Sequence, residues 1–303
     1  MNDTPAPQAL AHAMTVDVED YFQVSAFNEA LSRDDWSKQS SRVVANTERL
    51  LDLYDTHNIK ITFFVLGMVA EQFPDLVKQI HSRGHEVASH GYSHKLIFEQ
   101  SPDVFHEETK RSKLMLEDLI GQAVRGYRAA SYSITKKSLW ALDTLTELGF
   151  DYDSSIFPVH HDRYGIPEAP REIHRAQSAN GGVLTEFPLS TALLGSTTIP
   201  IAGGGYFRIY PYWLTNMLWR RAIAETEAPQ VFYLHPWEID PDQPKIDGLS
   251  LLSKFRHYFN LGKCEKRLAK HMNNFSFTTM ASIIDKKNAG PLKTVRYTPQ
   301  AFR

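Results

Sequence analysis

The sequence predicts an α/β protein built as a deformed (β/α) barrel, and three observations lead to this prediction. Short apolar runs alternate with helical patterns of ten or more residues, which is typical of βαβ units and a parallel sheet. Polar clusters directly follow three of the apolar runs. Barrels of this kind carry their sites at the carboxyl ends of the strands, so we expect these clusters to lie together.

The predicted elements alternate along the chain, with strands identified by β-branched and aromatic runs and helices by apolar periodicity. Strands are predicted over residues 13–18, 61–67, 85–89, 124–129, 150–155, 184–188 and 231–234. Helices are predicted over about residues 43–54, 74–82, 102–119, 136–148, 211–225, 249–259 and 265–273. Residues 158–182 are predicted to be long loops. A glycine-rich turn at 203–208 lacks the Lys-Ser/Thr ending of a phosphate loop, so we read it as a connector or a substrate-contacting loop.

Composition excludes several classes of protein. The formal net charge of −2 gives no electrostatic reason to expect nucleic-acid binding. The single cysteine, Cys264, excludes an intrachain disulfide and a thiolate zinc site. The N-terminus lacks signal-peptide features, and no apolar run reaches the roughly 18 residues of a membrane span. We therefore predict a cytoplasmic protein, including one that works at the inner face of the membrane, and leave its oligomeric state open.

Two histidines four residues apart, His90 and His94, follow the third predicted strand. Imidazoles at this spacing can bind one metal ion where a strand leads into a helix. The alternative is a pair of unrelated polar residues in a loop. Without a cysteine pair, a metal here needs histidine and carboxylate ligands.

Acidic residues follow the first predicted strand, and a third histidine, His235, follows the last. Asp17 and Glu19 are two residues apart and are expected to face the same side. One carboxylate can bind a metal while the other accepts a proton from water, and zinc lowers the pKa of that water to about 7. His235 would donate a proton to a leaving nitrogen. The alternative for the acids is a solvated turn.

Five segments resemble, in order, the motifs of the NodB-type polysaccharide deacetylases, carbohydrate esterase family four. They are TVDVED at 15–20, SHGYSH at 89–94, GYRAA at 126–130, DYDSS at 151–155 and FYLHP at 232–236. More narrowly, VEDYFQVSAF and HPWEIDPDQP resemble deacetylases encoded with exosortase-linked exopolysaccharide systems. The resemblance implies a NodB-type barrel over residues 13–240, between an N-terminal tail at 1–12 and a helical C-terminal extension at 241–303 packed on the barrel.

The resemblance also implies roles, position by position. Asp17 is expected to be the general base and His235 the general acid. Arg128 is expected to hold the base carboxylate, and Asp153 to orient His235. The backbone N–H near Ser131 is expected to bind the oxyanion. Without the resemblance, Arg128 would be assigned to a surface ion pair and Asp153 to a helix cap.

The metal ligands implied by the resemblance are His90, His94 and one acid. The most familiar first motif has two adjacent aspartates, but Val18 stands at the second position. An Asp-x-Asp form of the motif, together with strand alternation, favours Glu19. A bulge at the strand end would turn Asp20 inward instead, so both acids stay candidates.

Aromatic residues flank the catalytic positions. Tyr21, Tyr132 and Trp237 could stack on sugar rings, although aromatic side chains are also common in cores.

The sequence thus predicts a hydrolase with one divalent metal ion, for which Zn²⁺ is the best candidate. It would remove N-acetyl groups from amino-sugar units of a polysaccharide or of its lipid-linked precursor in exopolysaccharide biosynthesis. The first alternative is an amide or ester hydrolase of the same fold acting on a small cyclic amide or an O-acetylated sugar. The second is a non-catalytic carbohydrate-binding protein.

Overall fold

A mostly parallel sheet forms the centre of the molecule. The structure, a computed structural model, describes residues 10–28, 30–161, 164–298 and 301–302, so most of the predicted N-terminal tail lies outside the described residues. The strands are β1 His12–Val18, β2 Thr62–Val65, β3 Glu86–Ser89, β4 Gly126–Tyr127, β5 Tyr152–Asp153, β6 His174–Gln177, β7 Val183–Glu186, β8 Thr191–Leu194, β9 Thr197–Pro200, β10 Val231–Leu234, β11 Phe277–Thr278 and β12 Thr294–Arg296.

The main sheet has the order β10-β1-β2-β3-β4-β5-β7-β6-β12, with β11 also pairing with β1, while β8 and β9 form a separate hairpin. Beyond β10 the sheet continues through an irregular segment, residues 201–203, which hydrogen-bonds to Ser190 in the chain that follows β7. The backbone N–H of Tyr233 donates to Ala202 at 2.8 Å, and that of Ile201 donates to Ser190 at 3.2 Å. The fold is therefore the α/β barrel that the alternating pattern predicts.

Helices cover the outside of the sheet. They are α1 Val43–Thr56, α2 Gly67–Gln72, α3 Pro74–Ser82, α4 Pro102–Ile120, α5 Ala141–Glu147, α6 Gly204–Ile209, α7 Tyr212–Thr226, α8 Leu251–Tyr258, α9 Leu261–Asn274 and α10 Met280–Asn288. The described helices include none that is long and apolar enough to cross a bilayer.

Alternation along β1 decides which side chains reach the barrel interior. Met14, Val16 and Val18 belong to the core between sheet and helices, whereas Ala13 packs in a second core inside the barrel. Because side chains alternate along a strand, Asp17 projects to the same side as Ala13. The sheet thereby places an acid in the barrel interior at the carboxyl end of its first strand.

Several predicted elements differ from the structure. The region predicted as long loops contains β6, whose sequence HRAQ alternates buried and half-buried residues without an apolar run. The glycine-rich turn is the helix α6. The fourth and fifth strands keep only two residues each. Beyond Asp240, the helical region also provides β11 and β12, which are too short to be distinguished from loop by periodicity.

Candidate active site

Three buried side chains converge where β1 and β3 end. Glu19, His90 and His94 each offer one ligand atom, and these atoms lie within 4.8 Å of one another. Oε2 of Glu19 lies 2.7 Å from Nε2 of His94, yet this oxygen has no hydrogen-bond partner in the described part of the chain. Buried polar atoms that converge without satisfying one another fit a bound cation, and two histidines with one carboxylate fit zinc.

The backbone determines which nitrogen of His90 faces this cluster. Nδ1–H of His90 donates to the carbonyl oxygen of Arg128 at 2.9 Å, so Nε2 keeps a free lone pair. Burial lowers the pKa of His90 to about 4, which leaves the ring neutral near pH 7. His94 adopts a left-handed backbone conformation with φ of 57°, and Arg33 donates to its carbonyl at 2.8 Å. Hydrogen bonds thus fix the ring of His90 and the backbone of His94.

Of the two acids predicted as ligands, the structure brings only Glu19 to the histidines. Asp20 instead accepts hydrogen bonds from the Ser41 hydroxyl at 2.5 Å and the Arg42 backbone N–H at 3.0 Å. These donors lie at the start of α1, where backbone N–H groups lack partners within the helix and favour a carboxylate. Of the two acids that the sequence left open, this geometry therefore favours Glu19, because Asp20 already binds donors at the start of α1.

Glu19 is charged in this setting. Burial alone would raise the pKa of Glu19, but His94 and then His235 bring it well below its ordinary value. The charged Glu19 carboxylate can therefore neutralise part of the charge of a bound metal cation.

Arg128 holds the carboxylate of Asp17 inside the barrel. Nη1 of Arg128 donates to Oδ1 of Asp17 and to Oγ1 of Thr15, both at 2.7 Å. Its Nε and Nη2 are bound by Ser154 at 3.1 and 3.0 Å. The guanidinium also lies 4.1 Å from the ring centre of Phe64. An ion pair with this many fixed contacts orients the Asp17 carboxylate.

Two consecutive residues after β4 have unusual backbone geometry next to this carboxylate. Ser131 and Tyr132 have φ of 50° and 54°, a region that non-glycine residues rarely adopt outside sites with a functional constraint. The hydroxyl of Tyr132 donates to Oδ2 of Asp17 at 3.5 Å. Ser131, predicted to mark the oxyanion site, lies in the same turn, and its hydroxyl is 2.6 Å from that of Ser25.

His235, at the end of β10, has a different partner from the predicted one. Nδ1 of His235 donates to Oε1 of Glu238 at 2.9 Å, and the His235 backbone N–H donates to the same oxygen at 3.1 Å. Nε2 of His235 lies 3.5 Å from Glu19. Burial opposes protonation, but Glu19 and then Glu238 raise the pKa of His235 to about 9. The ring is therefore cationic near pH 7 and can donate a proton.

Asp153, predicted to orient His235, lies elsewhere in the network. Its carboxylate accepts from the Ser155 hydroxyl at 2.5 Å and pairs across the sheet with Glu186 on β7. Burial raises the pKa of Asp153 to about 6, and burial followed by repulsion from Asp153 raises the pKa of Glu186 well above its ordinary value. The orienting role predicted for Asp153 is wrong in this geometry. The Asp153 side chain lies beside Glu186 of β7, and Nδ1 of His235 binds Glu238 instead.

Glu238 is itself held by a buried arginine on α6. Nε of Arg208 donates to Oε2 of Glu238 at 2.7 Å, and both side chains are at most 1% exposed. Gly204, the first residue of α6, explains how this helix approaches Glu238 so closely. A Cβ atom at Gly204 would lie 2.0 Å from Oε1 of Glu238. The glycine-rich segment thus makes room for the carboxylate that binds His235.

The predicted sugar-stacking aromatics are all covered. Tyr21 is completely buried. Both faces of Trp237 are stacked, on His235 with ring centres 4.9 Å apart and on His257 at 4.2 Å, and its Nε1 donates to Glu19 at 3.3 Å. Tyr132 is 6% exposed. Of the two roles that the sequence left open for these aromatic residues, their burial favours packing in the core over stacking on sugars.

Sequence reasoning missed Glu238 and Arg208. A signal for Glu238 was present, since Pro236 follows His235 and an acid stands at the third position of the short helical turn, the pattern of a capping box. Arg208 had no such signal, because its partner is 30 residues away in the sequence.

Comparisons with known proteins agree with this architecture. Residues 30–152 match the family model described as polysaccharide deacetylase, and residues 154–285 match one described as a domain of unknown function, DUF3473. His90, His94 and Arg128 fall in the first match, whereas His235 and Glu238 fall in the second.

Two curated relatives illustrate the extent of the similarity. A peptidoglycan-N-acetylglucosamine deacetylase from Bacillus cereus is 31% identical over 120 residues, which cover 36% of this chain and 44% of that protein. A chitooligosaccharide deacetylase from Bradyrhizobium sp. is 29% identical over 99 residues, covering 33% of this chain and 43% of that protein. The matches span less than half the length of these relatives.

Solved structures agree on the fold. A protein from Mycobacterium smegmatis assigned as a polysaccharide deacetylase has a TM-score of 0.61 at 20% identity, covering 97% of this chain and 96% of that one. The PuuE allantoinase has a TM-score of 0.57 at 16% identity, covering 92% and 90%. At these identities the likeness concerns the fold alone.

Proposed function

We propose that this chain, which over residues 30–152 matches the polysaccharide deacetylase family model, is a metal-dependent hydrolase of N-acetylated amino-sugar polymers. The observation that carries the proposal is the convergence of Glu19, His90 and His94 next to an aspartate held by a buried arginine. These residues would hold one divalent ion, for which zinc suits the ligand types best. When bound, such an ion polarises a carbonyl group and lowers the pKa of water.

Asp17 is the residue we assign as general base. Arg128 and the Tyr132 hydroxyl each bind one oxygen of its carboxylate, so its orientation is fixed before substrate arrives. Asp17 would take a proton from water as the water oxygen attacks the acetyl carbonyl carbon. The turn at Ser131 would place the backbone N–H of this residue near the oxygen that becomes negative, since the next two N–H groups already donate to Ala129 and Ala130.

His235 is the residue we assign as general acid. It would give the proton on Nε2 to the sugar nitrogen as the carbon–nitrogen bond breaks, which releases acetate and leaves a free amine. Glu238 binds Nδ1–H and so keeps the ring oriented, with Nε2 toward the cluster formed by Glu19, His90 and His94. Arg208 in turn fixes Glu238.

The finer identity of the substrate rests on the relatives and on the sequence motifs. The relatives named above act on peptidoglycan and chitooligosaccharides, which are polymers of N-acetylated amino sugars. The segments around residues 18–27 and 235–244 support an exopolysaccharide, or its lipid-linked precursor, as the natural substrate. We also propose that residues 13–240 form the catalytic unit and that residues 241–303 pack on it.

Acetate release from chito-oligomers by zinc-reconstituted protein tests this function directly. We expect acetate to form in step with free amine, and Asp17→Asn to abolish most of the release while zinc content stays unchanged. Release of acetate from O-acetylated sugars alone would assign the site to ester hydrolysis. Zinc binding and sugar binding without any acetate release would contradict an enzymatic role.

A further inference from the structure

Helix α8 presents an apolar stripe to solvent. Leu251 is 86% exposed, Leu252 57% and Phe255 46%, and Phe259 just after the helix is 36% exposed. Spacings of three and four residues place Leu251, Leu252 and Phe255 on one helix face, and the ring centres of Phe255 and Phe259 are 4.7 Å apart. Four large apolar side chains exposed side by side mark an interaction surface.

The opposite face of α8 anchors the helix to the protein. His257 is the only buried residue of α8. It lies about half a helical turn away from the stripe. Its ring stacks on Trp237 and its Nε2 lies 2.7 Å from Oε1 of Gln243. Because α8 is fixed to the protein through His257, its opposite face, which carries the stripe, is directed toward solvent.

The segment of the chain that carries the stripe is basic. Between Asp247 and Glu265 the chain carries Lys254, Arg256 and Lys263, all exposed, and no acidic residue. Lys254 and Arg256 stand on either side of the stripe at the spacing of an α-helix. Long basic side chains beside apolar ones suit the surface of a bilayer, which is apolar inside and carries anionic headgroups outside. The aliphatic stems of these side chains lie along the apolar region, while their charges reach the phosphates.

We propose that α8 docks this protein onto a bilayer that contains anionic phospholipid. The apolar stripe would enter the boundary between headgroups and acyl chains, with the helix lying parallel to the membrane plane. The three cations would supply the electrostatic attraction.

The docking helix is joined directly to the residues around His235. Arg208 donates to the carbonyl oxygens of His257 at 2.8 Å and Phe259 at 2.7 Å, while its Nε binds Glu238. Membrane contact would therefore hold the His235 side of the barrel near the bilayer, where a lipid-linked saccharide would lie. That last consequence rests on the proposed function, whereas the docking itself does not.

Co-sedimentation with vesicles tests the docking on the full chain. One set of vesicles is phosphatidylcholine alone and the other contains phosphatidylglycerol as well. We expect binding to the second set, weakened by salt, and at least about a tenfold loss in partitioning for Leu252→Glu/Phe255→Glu. Lys254→Glu should lose about fivefold or more, since each charge near the surface contributes about that factor.

A matched control is available on a different helix. Leu114 on α4 is 55% exposed, close to the 57% of Leu252 on α8, but it lies outside the stripe, so Leu114→Glu should bind vesicles like the unchanged protein. Zinc content and melting temperature report on the fold and site of each variant. Failure of the unchanged protein to bind phosphatidylglycerol vesicles would overturn the proposal, as would equal binding by the α8 variants. A dimer that the α8 double variant converts to monomer, without vesicle binding, would assign the stripe to a second copy instead.

Discussion

Oε1 of Glu238 accepts two hydrogen bonds from a single residue, His235, one from the backbone N–H at 3.1 Å and one from Nδ1 at 2.9 Å. The carboxylate therefore fixes both the start of the short helical turn and the orientation of the ring. This arrangement links the position of the proposed acid to Arg208 on α6. The candidate site thus combines residues of the segment matched by the domain of unknown function with residues of the segment matched by the polysaccharide deacetylase model.

Replacing Glu238 tests this link through the pH profile. Glu238→Gln keeps an acceptor oxygen but removes the charge that helps to raise the pKa of His235 to about 9. A general acid must be protonated, so activity is present below this pKa and is lost as pH rises through it. We expect the alkaline limb of kcat/KM to move to lower pH, with unchanged zinc content. Glu225 is another carboxylate bound by arginines. Glu225→Gln should leave the alkaline limb of kcat/KM at the same pH.

Gly204 provides a steric test of the same contact. Gly204→Ala would place a Cβ atom 2.0 Å from Oε1 of Glu238, whereas no atom lies within 4 Å of a Cβ at Gly205. We expect Gly204→Ala to lower the free energy of unfolding by about 1–3 kcal/mol and to reduce activity. Gly205→Ala, in the same helix, should raise stability by about 0.5–1 kcal/mol. Equal effects in urea titrations of the two variants would contradict the packing described here.

Metal content distinguishes Glu19 from Asp20. Glu19→Ala should lose most of its zinc on dialysis against a weak chelator, as should His90→Ala/His94→Ala, because one or two ligands hold a cation poorly. Asp20→Ala should keep zinc but unfold more easily by about 0.5–2 kcal/mol, since it removes the cap of α1. Atomic absorption and thermal melts measure the two effects separately. Zinc lost from Asp20→Ala but retained in Glu19→Ala would reverse the assignment.

The proposed base and acid should each be needed for turnover. Removing a positioned proton-transfer group typically costs about 10²–10⁴-fold in rate. We expect losses in that range for Asp17→Asn and His235→Ala, with normal folding and zinc content. Near-normal acetate release by His235→Ala would show that the proton comes from another group.

The buried pair of Asp153 and Glu186 should make stability depend on pH. Burial raises the pKa of both carboxyl groups in the folded protein, so their stabilising effect is present below the unfolded pKa values and is lost as pH rises through the folded ones. Glu186→Gln keeps an oxygen for the Ile156 N–H and can donate to Asp153. We expect this variant to gain about 1–3 kcal/mol at pH 8 and little at pH 4. Urea titrations at both pH values measure the difference, and a loss of stability at pH 8 would contradict the raised pKa values of this pair.

Much of the barrel was predictable because it depends on local patterns. Helix α3 begins and ends at the predicted residues, and β10 matches the predicted strand. Short strands at the far end of the sheet, β6 and β12, were missed, since three or four mixed residues have no distinct periodicity. Pairing with distant strands, rather than local composition, makes them extended.

The sequence by itself determined most strands of the main sheet, the acids and histidines that follow them and, through alternation, the side to which Asp17 points. Only the tertiary structure decided that Asp20 caps α1 and that Glu238 holds His235. The reason is physical: these choices depend on which donors lie near each carboxylate after the sheet has closed. Asp17 meets Arg128 across 111 residues and Trp237 meets Glu19 across 218, so no local pattern records these contacts.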